Sequence, residues 1–178
     1  MNPTQKILID EGQISDRLTL MAAEIDSYYE KRKTEELIVI SLLRGSFIFT
    51  ADLVRKLKIK VNIDFLTTSS YDNEKISSGF VEIVSDIREN LRDADVLIVD
   101  DILDSGKTMQ FVVEHLSTRN PKSIKTCVLL DKPSRRTEDI KPDFVGFEIE
   151  DVFIVGYGLN YGDHYRNIPY IFTFLDGE

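Results

Sequence analysis

The chain is short of cysteine, of basic charge and of long apolar runs, and each shortage excludes a class of protein. Cys127 is the single cysteine among 178 residues, so no internal disulfide can hold the fold. It lies in the apolar run from Thr126 to Leu130, where a thiol is expected to be buried and inert. Lysine and arginine number 22 against 31 acidic residues, a formal net charge of −9. Too few cations remain to sheathe a phosphate backbone, which argues against nucleic acid as a partner. The longest nearly apolar run, Leu37 to Leu43, is far short of the ~20 residues needed to cross a bilayer. Met1 to Gln13 lacks the basic-then-apolar order of a secretory signal, so a cytoplasmic protein without membrane contact is expected. His115 and His164 stand apart from Cys127, so nothing suggests a zinc site. No repeat or linker divides the chain, which reads as a single domain over residues 1–178.

What is present is 42% hydrophobic residues in strand-sized and helix-sized blocks. Leu18, Met21, Ala22, Ile25 and Tyr28 recur at helical spacing, with Ser15 as the expected N-cap. Leu37 to Leu42 is apolar without alternation, as suits a strand covered on both faces. A helix is expected over Phe47 to Leu57 and a strand over Val61 to Leu66. Thr67 to Gly79 is polar with little to bury, so a long exposed loop or loose hairpin is expected. Val96 to Val99 reads as a buried strand ending before Asp100 and Asp101. Met109, Val112, Val113 and Leu116 mark a helix that Asn120-Pro121 ends. Ile124 to Leu130, Phe144 to Ile149 and Val152 to Val155 read as later strands. Strands alternating with helices imply an α/β fold with a largely parallel twisted sheet, in which ligands bind beyond the carboxyl ends of the strands.

The sharpest segment runs from Val96 to Met109, VLIVDDILDSGKTM. A buried strand delivers adjacent carboxylates, Asp100 and Asp101, and the turn Asp104-Ser105-Gly106-Lys107-Thr108 opens a helix. Unpaired amides at a helix start, with a glycine allowing close approach, cradle a phosphate. An ATP-type phosphate loop would need glycine at position 101, where Asp101 stands instead, so that reading fails. Carboxylates at the mouth of a buried strand are costly unless something binds them, and ribose hydroxyls or Mg²⁺ would.

This segment resembles the phosphoribosyl pyrophosphate motif of the type I phosphoribosyltransferases. Further segments resemble the hypoxanthine-guanine branch: Leu43-Arg44-Gly45-Ser46, Ser70-Tyr71, Leu130 to Arg136, Lys141 to Phe147 and Phe153 to Tyr157. They follow in order from Leu37 to Arg166. The resemblance implies a type I fold with a small hood built from the terminal segments and a mobile loop near 67–80. It implies transfer of phosphoribose from phosphoribosyl pyrophosphate to a 6-oxopurine, with Mg²⁺, in a homodimer or homotetramer. Asp104 would be the proton carrier at purine N7. Asp100 and Asp101 would hold ribose hydroxyls and metal, and Ser105, Gly106, Lys107 and Thr108 the 5-phosphate. Arg44 and Gly45, joined to Leu43 by a non-proline cis peptide, and Arg166 would take pyrophosphate. Lys132 would donate to purine O6, Phe153 would stack on the base, Ile154 would meet the purine edge through its backbone, and Ser70 and Tyr71 would close over the reactants. Asn160 stands where the family often has Asp, and Asp100 where many relatives have Glu. Arg135 and Arg136 read as solvated or intersubunit.

Overall fold

The structure, a computed structural model, describes residues 5–71 and 80–175. Its elements are β1 (Gln5–Ile9), α1 (Glu11–Lys31), β2 (Glu36–Leu43), α2 (Phe47–Val54), β3 (Lys60–Tyr71), β4 (Phe80–Ser85), β5 (Asp95–Leu103), α3 (Lys107–Ser117), β6 (Ser123–Asp131), β7 (Phe144–Glu148) and β8 (Ile171–Phe174). Six strands form one sheet in the order β4-β3-β2-β5-β6-β7, and β1 pairs with β8 in a separate ribbon. Within the larger sheet only the β3–β4 pair is antiparallel.

Alternate residues of the central strands feed two separate cores. Leu37 and Val39 of β2, with Leu97 and Val99 of β5, pack under α1 and α2. Ile38, Ile40, Val96 and Ile98 point the other way and meet Met109, Val112 and Leu116 of α3. Each fully buried aliphatic side chain contributes ~1.5–3 kcal/mol, so both faces hold the sheet, and a chain without disulfides can stand. The helix after β2 therefore packs on one face and the helix after β5 on the other. Adjacent strands whose connections part in opposite directions leave a crevice at their carboxyl ends. No helix among the described residues is long and apolar enough to cross a membrane.

Several expected boundaries move, each for a visible reason. Helix α1 is capped not by Ser15 but by Asp10, whose carboxylate accepts from the Gln13 amide at 2.8 Å while Gln13 Oε1 accepts from the Asp10 amide at 2.9 Å. Helix α2 stops at Val54, short of Leu57, because the Asp26 carboxylate takes the amides of Lys58 and Ile59 at 3.0 and 3.2 Å. Strand β5 does not end at Val99: Asp100, Ile102 and Leu103 keep pairing with Val128, Leu130 and Asp131. Thr67 to Tyr71 extend β3 and pair with β4 as one arm of a hairpin. The rest of the polar stretch, 72–79, lies outside the described residues. Val152 to Val155 form no strand; only Val155 bridges, to Phe172, and the Val152 carbonyl accepts from Lys132 instead.

Candidate active site

The crevice between β2 and β5 is built from the loops that leave the parallel strands. Asp100 and Asp101 lie in the second half of β5, two residues before its end at Leu103, half-buried. Each carboxylate accepts the next backbone amide, Asp100 from Asp101 and Asp101 from Ile102, both at 2.9 Å. Neither has an ion-pair partner among the described residues. Burial and the neighbouring Asp101 charge push the Asp100 carboxyl well above the usual carboxylate range. Burial raises Asp101 too, against the opposing pull of its hydrogen bonds and of the Arg166 charge. Two anions held this way are a site short of positive charge.

Beyond them the chain turns at Gly106, φ +93°, a left-handed conformation in which an added Cβ would also lie 2.7 Å from the Ile140 side chain. Gly106 is the N-cap of α3 and supplies no side chain to cap its first amides. The first turn of α3 holds no acidic residue either, so its positive end faces the turn uncompensated. Asp100, Asp101, Asp104, Ser105, Gly106 and Thr108 line a cavity of about 230 Å³ there. Lys107 is exposed and does not line it. The Ser105 carbonyl accepts the amides of Thr137 and Glu138 at 2.9 and 3.2 Å, which pins the turn from behind.

On the β2 side the Leu43–Arg44 peptide is cis. Gly45 then passes so close to Asp101 that a Cβ on it would fall 1.8 Å from Oδ2. Gly158 in turn lies against Gly45, where a Cβ would fall 2.1 Å from the Gly45 carbonyl oxygen. Arg44 and Arg166 line a second cavity of about 650 Å³ with Leu43, Phe47 and Asp163. Arg166 Nη1 donates to the Gly158 carbonyl at 2.6 Å, holding its guanidinium over this junction.

The remaining expected residues gather beyond β6 and β7. Lys132 is buried, and its Nζ donates to the Val152 carbonyl at 2.7 Å with Asp151 Oδ1 at 3.6 Å. That bond brings the lysine beside Phe153, 55% exposed and edge-on to Tyr161, and beside the buried Ile154. Asn160 is exposed and turns its amide to the Gly162 carbonyl. Ser70 and Tyr71 end β3, across β2 from the crevice.

Of the two arginines after Lys132, Arg135 stays exposed as expected and Arg136 departs from expectation. Arg136 is not solvated: it is largely buried, donating to the carbonyls of Leu103, Asp104 and Ile140 and pairing with Asp131. It locks the segment after β6 onto the acidic turn. Arg135 pairs with Asp104 Oδ1 at 2.9 Å and reaches Asp151 at 3.4 Å. The available signal was a pair of arginines directly behind Lys132 in a cation-poor chain.

A crevice with a cavity at a helix start, paired carboxylates beside it, and a lysine bonded next to an exposed aromatic suits a phosphorylated sugar beside a planar base. The model of the phosphoribosyl transferase domain matches residues 5–162, and the chain belongs to that family. The hypoxanthine phosphoribosyltransferase of Buchnera aphidicola is 49% identical, covering 96% of this chain and 96% of that protein. The hypoxanthine-guanine phosphoribosyltransferase of Bacillus subtilis is 44% identical over 94% of this chain and 91% of its own. A crystal structure of a hypoxanthine-guanine phosphoribosyltransferase from Bacillus anthracis superimposes with a TM-score of 0.88 at 42% identity, covering 96% of this chain and 98% of that one.

Proposed function

We propose that the chain is a purine salvage enzyme, a hypoxanthine phosphoribosyltransferase. It would transfer phosphoribose from phosphoribosyl pyrophosphate to hypoxanthine, and to guanine, releasing pyrophosphate with IMP or GMP. The observation that carries this reading is the cavity in which Asp100, Asp101 and Asp104 meet the uncapped start of α3.

The turn from Ser105 to Thr108 offers main-chain amides and hydroxyls to the 5-phosphate, and the dipole of α3 adds to them. Arg44, Gly45 and Arg166 take the pyrophosphate, whose negative charge grows as it leaves the anomeric carbon. The carboxylates of Asp100 and Asp101 face the sugar, and neither forms an ion pair with a cation among the described residues, so they fit a Mg²⁺ ion. When bound, Mg²⁺ supplies the positive charge that organises and neutralises the diphosphate. Asp104 carries the purine N7 proton once Arg135 yields its place on the carboxylate. Lys132 offers only donors, so it reads a 6-oxo group and rejects a 6-amino group. Its hydrogen bond to the Val152 carbonyl supports this role, since Val152 directly precedes Phe153. The hairpin that ends in Ser70 and Tyr71 closes over the reactants and excludes water. The terminal ribbon of β1 and β8 serves as the hood, so residues 1–178 act as one catalytic domain. Assembly as a homodimer or homotetramer in the cytoplasm belongs to the same reading, and light scattering would measure it.

A purine panel with phosphoribosyl pyrophosphate and Mg²⁺ tests the proposal. Hypoxanthine and guanine are expected to turn over, with adenine disfavoured roughly tenfold or more, because the lysine pair is worth about 1–3 kcal/mol. Chelation of the metal should abolish turnover. Products from a pyrimidine alone, or none from any purine, would refute the assignment. Lys132→Ala should erode discrimination among purines while the Michaelis constant for the sugar substrate holds; a selective rise in the latter would place Lys132 elsewhere.

A further inference from the structure

We infer that Ser41, Ser46 and Thr50 form a one-way chain of buried hydroxyls that positions the Arg44–Gly45 loop for pyrophosphate. The inference rests on the reading of that loop given above. Ser46 occupies the N-cap of α2, where serine ordinarily accepts a hydrogen bond from the first helical amides, yet it makes no such bond. Its hydroxyl donates backwards to the Leu42 carbonyl at 2.5 Å. That bond crosses the neck of the loop and ties its exit to the end of β2.

Proton accounting gives the chain a direction. A carbonyl can only accept, so the single Ser46 proton is committed to Leu42. Ser41 Oγ lies 2.8 Å from Ser46 Oγ and must be the donor there. Its proton being spent, Ser41 accepts at its other contact, 2.8 Å from Thr50 Oγ1, and Thr50 donates. The order is Thr50 to Ser41 to Ser46 to Leu42. Ser41 and Ser46 are 0% exposed and Thr50 3%, so water cannot replace a lost partner. Ser41 also interrupts the aliphatic run from Leu37 to Leu43, LIVISLL, in which a hydroxyl is a cost unless it is bonded.

The loop above has no room to drift. Gly45 is wedged between the Asp101 carboxylate and the Gly158 turn: a Cβ on Gly45 would fall 1.8 Å from Asp101 Oδ2, and a Cβ on Gly158 would fall 2.1 Å from the Gly45 carbonyl oxygen. The hydroxyl chain fixes the third side, from beneath. A loop already ordered need not be ordered by substrate, so its main-chain groups meet pyrophosphate in place. The base is held at the ends of other strands, beyond Lys132, and does not depend on this chain. Ser41, Ser46 and Thr50 are positioning residues for one substrate only.

Steady-state kinetics on Ser46→Ala, Ser41→Ala and Thr50→Val, varying each substrate in turn, tests this. The Michaelis constant for phosphoribosyl pyrophosphate should rise about tenfold, about threefold and under about twofold respectively, the loss growing as the broken bond nears the loop. The constant for hypoxanthine should stay within about twofold throughout, since no base contact changes. Thr50 sits first in the chain, and its loss leaves the later bonds intact; in Ser41→Ala it can turn its proton to its own helix. If Ser46→Ala does not fold, Ser41→Ala against Thr50→Val carries the same ranking. The inference is overturned if Thr50→Val matches or exceeds the others, if both Michaelis constants rise together, or if the variants lose thermal stability alone. A native enzyme that makes no nucleotide from any purine would strike the proposed function itself, before any variant is made.

Discussion

Strand β5 begins on one aspartate and carries two more in its second half, and the two regions treat the carboxylate in opposite ways. At the start, Asp95 is buried, and burial by itself would raise its affinity for a proton. Hydrogen bonds from Ser123, Thr34 and Lys122 outweigh that and hold the carboxyl below its usual range. Arg32 adds a further cation at 3.5 Å. Further along, Asp100 and Asp101 have backbone amides, each other and the charge of Arg166 on Asp101, with no ion pair among the described residues, and the shift is upward. One end is saturated by the chain's own donors and is structural. The other is left hungry for positive charge from outside, which is what a binding site for a metal and a sugar requires.

The contrast can be broken at either end. Asp104→Asn should lower turnover by about a hundredfold or more, the usual scale of general acid–base catalysis, with little change in thermal midpoint. Unchanged turnover would remove Asp104 from the chemistry. Asp95→Asn should cost about 1–3 kcal/mol of stability in urea unfolding while leaving turnover of the folded protein intact. The pH dependence carries the same sign. A carboxyl lowered in the folded state stabilises above its unfolded pKa, and that stability is lost as pH falls through the folded value. The native protein should therefore weaken toward acid pH more steeply than Asp95→Asn, and parallel curves would deny the role. Asp100 works the other way: a raised carboxyl stabilises while protonated, and the contribution is lost as pH rises through its folded value. Asp100→Asn should be at least as stable as the native chain at neutral pH, by a margin of order 1 kcal/mol, while activity falls. A clear loss of stability would move Asp100 into the structural class with Asp95.

Much of this was legible beforehand because buried parallel strands are continuous apolar runs. LIVISL, VLIV and the run around Cys127 announce β2, β5 and β6, and the spacing of Met109, Val112 and Leu116 announces α3. Edge strand β7 was legible as well, but three other outer strands were not. β1, β4 and β8 are short, mix polar with apolar residues and gain stability only from partners distant in sequence, such as Gln5 opposite Phe174. The Asp10–Gln13 capping box is present in the sequence, but the apolar spacing that begins at Leu18 points to Ser15, which lies inside the helix. Asp104, Ser105 and Gly106 announced the phosphate turn through their order alone. Arg136 could not be read that way, because its bonding partners Leu103 and Asp104 belong to another strand's loop. Nor could Ser41, a lone hydroxyl in an aliphatic strand until α2 folds back over it.

The sequence by itself determined which residues are candidates for chemistry and near which strand ends they sit, because local order sets strand, turn and helix start. Only the tertiary structure decided which carboxylates go unpaired, which glycines are wedged and which hydroxyls join in a line. Those depend on strand order β2-β5-β6 and on helices leaving to opposite faces. Contacts between segments far apart along the chain exist only once the sheet has assembled, and no window of sequence contains both partners.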